Sequence, residues 1–147
     1  MWYLIISIAA LVIAALGFYA GQLLWQLKQQ KLTQQAELKK RLDYLTHSIN
    51  HISRAMQAEQ CDYSEGVLRV WVLLDHYNKE QPEPKDYASL YPGFASLYDV
   101  IKDMPTHDAR KKYSKKDIHK LDLKRWRAEQ EFGEQIAKDL ESIIQEF

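Results

Sequence analysis

Few residues in this chain have the types and spacing that chemistry requires. His47 and His51 stand at i, i+4 on a helix, the spacing of a metal-ligand pair. No third histidine or carboxylate is placed beside them by sequence, and the neighbouring apolar phase puts them on an outer face. Solvated side chains are therefore expected, and no metal or cofactor. Cys61 precedes a predicted helix start, a setting that can lower a thiol pKa. A nucleophile also needs a partnered base. His76 is too far along the next helix for that role, so Cys61 reads as a half-buried structural residue. Thr106, His107, Asp108 and Arg110 gather at an interhelical corner. Adjacent residues on a helix point about 100° apart, so His107 and Asp108 do not form a dyad. Capping of a helical turn explains the composition instead.

Charge is sorted along the end of the chain. Residues 107–127 hold nine Lys/Arg against three Asp, and residues 128–147 hold six acidic side chains against Lys138. The basic patch is Arg110, Lys111, Lys112, Lys115, Lys116, Lys120, Lys124, Arg125 and Arg127. It reads first as a solvated face with the acidic tail as its counterpart. The second reading is a surface for an anionic leaflet or acidic partner, and the third a nucleic-acid surface. Only Tyr113 and Trp126 accompany it for base stacking, so nucleic acid is the weakest of these. The net charge of the whole chain is zero, 20 basic against 20 acidic, which excludes bulk polyanion attraction as the theme. The single cysteine excludes an intrachain disulfide and agrees with a reducing compartment.

The elements that must position these groups are helices. Trp2 to Leu27 carries no charged side chain, and Lys28, Lys31, Lys39, Lys40 and Arg41 follow it. An apolar helix of roughly 20 residues crosses a hydrocarbon core about 30 Å thick. Trp2, Tyr3 and Trp25 are placed for the two headgroup zones. A cleaved signal peptide would need preceding basic residues and a small-x-small site. Neither is found, so residues 1–27 read as a retained anchor. The positive-inside bias then puts the N-terminus outside and the rest in the cytosol of a cytoplasmic membrane. Ala10, Ala14, Gly17 and Gly21 form a small-residue face of the kind that lets two membrane helices pair as a homodimer. Gly and Ala are also simply common in such helices, so the face alone does not decide it.

Residues 28–41 read as a basic stalk and 42–147 as one helical domain. Leu38, Leu42, Leu45, Ile49, Ile52 and Met56 form a heptad seam, short for a coiled coil and better suited to packing on later helices. The first helix is expected to end near Glu59. Asp62 and Glu65 have capping-box spacing for a second helix to Tyr77. Asp86 caps a turn. After Pro92, a third helix carries Phe94, Leu97, Tyr98, Ile101 and Met104. Ser114 and Asp117 begin a last helix over 115–146. The fold class is all-α: a transmembrane helix, a stalk and a small bundle.

Three stretches carry a resemblance. They are the anchor end Gly17-Phe-Tyr-Ala-Gly-Gln-Leu-Leu24, the segment Ala55-Met-Gln-Ala-Glu-Gln-Cys-Asp-Tyr-Ser-Glu-Gly66, and the pair Leu90-Tyr-Pro and Met104-Pro-Thr-His-Asp-Ala-Arg110. Together they resemble an uncharacterised bacterial family, the domain of unknown function 2489. The resemblance implies short single-pass proteins with a helical cytosolic domain, and no activity. It marks Cys61, Asp62, Ser64, Glu65, Thr106, His107 and Arg110 as the surface to test. With no phosphate loop, metal cluster or triad, the reading is a membrane-anchored interaction or scaffold protein that binds another protein. The alternatives are an enzyme or small-ligand module near Cys61 and His107, or a polyanion- or lipid-binding protein acting through residues 110–127.

Overall fold

The computed structural model describes residues 1–105 and 107–147, and it is all-α. Its helices are α1 (Trp2–Gln57), α2 (Tyr63–Lys79), α3 (Tyr87–Leu90), α4 (Pro92–Ile101), α5 (His107–Arg110) and α6 (Lys115–Glu146). The chain divides into two compact units, Met1–Arg41 and Leu42–Phe147.

In the first unit every residue is exposed. An 18-residue stretch of α1 has a mean hydropathy of 2.4 with none of it buried, so the helix is long and apolar enough to cross a membrane. Ser7, the polar interruption, donates its hydroxyl to the Tyr3 carbonyl at 2.7 Å and so stays compatible with an apolar surround.

The second unit begins where the seam becomes buried. Leu45, Ile49 and Met56 are buried, and Ile49 and Met56 join the core with Val67, Val70 and Leu74 of α2. The seam is thus an intradomain face from Leu45 onward. α1 stops in a Schellman motif: Gln60 N–H bonds to Ala55 O and Glu59 N–H to Met56 O. Glu59 takes the left-handed position, φ 56°, that usually belongs to glycine.

α4 and α6 supply the opposite wall through Phe94, Leu97, Ile136, Leu140 and Ile143. Gly93 lets them approach closely: a Cβ there would stand 2.8 Å from the Gln135 carbonyl carbon and the Ile136 nitrogen. α4 ends at Ile101, short of the expected Met104, because Met104 N–H turns back to the Ile101 carbonyl. Trp126 of α6 is 56% exposed.

Helix starts follow two rules. Asp86 caps α3 locally, accepting from Ala88 and Ser89 N–H, and Ser114 caps α6 by accepting from Asp117 N–H. α2 and α4 are capped across the fold by carboxylates of α6. Asp139, buried at 3% exposure, accepts from Gly93 N–H at 2.8 Å and Phe94 N–H at 3.0 Å. Glu129 accepts from the backbone N–H and the hydroxyl of Ser64. This is why Asp62 makes no side-chain cap bond at α2, contrary to the capping-box expectation. Glu65, the other half of that box, pairs instead with Arg69 at 2.5 Å.

Candidate functional site

The Ser64–Glu129 contact lies between two clefts, and it divides the motif residues. Cys61 and Asp62 line one cleft, of about 550 Å³, together with Glu59, Glu129 and Glu134. Ser64, Glu65 and Arg110 line the other, of about 400 Å³, where α2, the chain after α4 and the first half of α6 meet. Thr106 and the side chain of His107 lie outside the described residues.

The first cleft is acid-lined. Burial pushes the Cys61 thiol above its ordinary value, and the neighbouring Glu65 adds to that. The thiol contacts the Asp62 carbonyl at 3.5 Å. Cys61 and Arg110 line different clefts, so they do not converge on one reacting atom.

The second cleft has a mixed lining. Leu68, Ile101, Met104 and Leu121 give it an apolar wall, and Arg69, Arg110 and Arg125 place three guanidiniums on it. Arg110 bonds to Asp122 at 2.5 Å, a pair only about one-third exposed. That bond is the first cause holding the Asp122 carboxyl below the usual carboxylate range, with Arg125 acting in the same direction. Arg69 shares Glu65 at the rim. The Nε of Arg125 is buried and has no hydrogen-bond partner among the described residues.

The remaining basic residues divide by place. Lys111 pairs with Asp108 at 2.6 Å, and Lys111, Lys112, Lys115 and Lys116 are all exposed. Lys120, Lys124 and Arg127 border a groove with Leu123 and Phe132. In the acidic half of α6, Glu131 borders that same groove. Glu129 and Asp139 hold helix starts, while Glu146 accepts from the Tyr91 hydroxyl and from Lys85. His47 and His51 stack with ring centroids 6.3 Å apart, and no group fit to hold a metal ion is found among the described residues. Among the described residues, Gly17 and Gly21 have nothing within 4 Å of a built Cβ.

Sequence reasoning missed Arg69, Asp122, Glu129 and Asp139. One signal was readable. Asp139 falls inside the apolar stripe Ile136-Leu140-Ile143, and a carboxylate there needs buried donors.

The comparisons with known proteins agree with one another. A family model described as a protein of unknown function (DUF2489) matches residues 13–143. An uncharacterised protein of Haemophilus influenzae is 38% identical over 146 residues, which cover 99% of this chain and 95% of that protein. No solved structure matches the chain. By both the family model and this relative, the chain belongs to the family of the domain of unknown function 2489.

Proposed function

We propose that this is a single-pass interaction protein of the cytoplasmic membrane, with its N-terminus outside and its helical domain in the cytosol. The observation that carries the reading is the α1 stretch of mean hydropathy 2.4 with no residue buried. An apolar surface of that length, uncovered by protein, is stable only where lipid covers it. The basic residues Lys28 to Arg41 after the apolar run support the orientation. The contact surface for a partner protein is the corner after α5, where Lys111, Lys112, Lys115 and Lys116 stand exposed together, so the partner surface is acidic. Catalysis is not part of the reading, since Cys61 and Arg110 line separate clefts.

Two measurements test it. After an alkaline carbonate wash of membranes, the wild-type chain is expected in the pellet and an Ile13→Lys/Leu11→Lys variant in part released, since each central lysine costs about 3 kcal/mol of insertion. A wild-type chain that washes off removes the anchor. Crosslinking in intact membranes should capture a specific protein that a Lys111→Ala/Lys112→Ala variant captures less. Equal capture by both removes the contact surface.

A further inference from the structure

Outside the charged exterior, the cleft between α2 and α6 holds an electrostatic imbalance that the fold itself does not resolve. Three guanidiniums line it, from Arg69, Arg110 and Arg125, against two carboxylates, from Glu65 and Asp122. Arg110 and Asp122 satisfy one another, and Arg69 and Glu65 do the same at the rim. Arg125 acts on Asp122 through charge alone, and its buried Nε has no acceptor among the described residues. A buried charged donor without a partner is costly, and buried polar groups are otherwise nearly always paired. Arg69 and Arg110 each use one terminal nitrogen in their pairs, so further N–H donors on both remain for a ligand. The lining also includes the apolar side chains of Leu68, Met104 and Leu121. At about 400 Å³ the cleft is in the size range of small-molecule sites.

We infer that this cleft is a binding site for a phosphate monoester carrying an apolar body, its phosphate oxygens taken by Arg125 and by the spare donors of Arg110 and Arg69. Guanidiniums suit that head because their planar forks match phosphate geometry. Several donors lining one cleft suit a three-oxygen head. The apolar body lies against Leu68, Met104 and Leu121. The site is lined wholly by residues between Ser64 and Arg125, so it stands or falls independently of the anchor. The same chemistry is offered by a free phosphomonoester and by a phosphatidic-acid headgroup.

The test uses the full chain in an uncharged detergent, with phenyl phosphate as the probe and titration calorimetry as the readout. Phenyl phosphate is expected to bind saturably at one site, more tightly than inorganic phosphate, with benzyl alcohol giving no saturation. Arg125→Gln is expected to weaken it by about tenfold, the loss of one charge-assisted hydrogen bond. That variant breaks no hydrogen bond of the fold, so its circular dichroism and thermal midpoint should stay those of the wild type. Lys115→Ala/Lys116→Ala should leave the affinity unchanged. The inference is overturned by an absence of saturable binding, by equal affinity in Arg125→Gln, or by dependence on the exposed lysines instead. In phosphatidylcholine nanodiscs, phosphatidic acid that displaces phenyl phosphate identifies the lipid as the source. Undiminished binding beside that lipid identifies a soluble phosphomonoester.

Discussion

At Gly93 a single methyl group has nowhere to go. Its Cβ would meet the backbone of Gln135 and Ile136 at 2.8 Å and the Asp139 carboxylate at 2.9 Å, and backbone cannot swing aside as a side chain can. Gly93→Ala must push α4 off α6 and stretch the Asp139 cap. The expected loss is roughly 3 kcal/mol, the upper part of the overpacking range. Gly133 is the contrast. Its Cβ would meet only the Tyr63 ring, at an ordinary 3.9 Å. Gly133→Ala should therefore gain about 0.5–1 kcal/mol from helix propensity. Chemical denaturation of both variants checks the pair, and equal shifts would show that the close approach is not as described. The residue types at 93 and 133 are the same in the sequence. Only their neighbours separate them.

Between elements, α6 does more than pack. Its carboxylates at 129 and 139 reach the starts of α2 and α4, and Glu146 joins the α3–α4 junction by accepting from Tyr91. Burial, with Glu146 and Tyr77 adding to it, pushes the Tyr87 phenol up to about 12. Tyr91 is likewise raised, by burial first and then by its bond to Glu146. Both groups are neutral in the folded chain and ionise near pH 10 once unfolded. A folded value above the unfolded one means their contribution is fully present below about pH 10 and is lost as pH rises toward the folded values. The thermal midpoint should therefore fall between about pH 10 and pH 12, and a midpoint unchanged across that window would refute the coupling. On the acid side Glu146 runs the other way. Burial opposes its ionisation, but Lys85 and Tyr91 outweigh it and hold the carboxyl below its usual range. The helices themselves were readable from apolar spacing and from caps such as Asp86 and Ser114, because those signals are local. The caps from Glu129 and Asp139 were not, because the donor and acceptor are 45 to 65 positions apart.

For the whole molecule, the buried apolar residues run from Leu45 to Ile143, all within the unit Leu42–Phe147. Nothing in the core is contributed by Met1–Arg41. Residues 42–147 expressed alone are therefore expected to fold, with a cooperative thermal transition and helical circular dichroism. A non-cooperative melt would show that the first unit is needed for folding.

The sequence by itself determined the helical class, the apolar run, the seam and the family, since each depends on periodicity, length or residues close together in the chain. The clefts were decided only by tertiary structure. Ser64 and Arg69 come from α2, Arg110 from α5 and Arg125 from α6, and Cys61 parts from Arg110 although the motif places them in one candidate surface. Charge counts showed a basic block and an acidic block. The fold turned Glu129 and Asp139 of the acidic block toward the starts of α2 and α4, where unpaired N–H groups needed acceptors, and among the described residues it left the Nε of Arg125 without one.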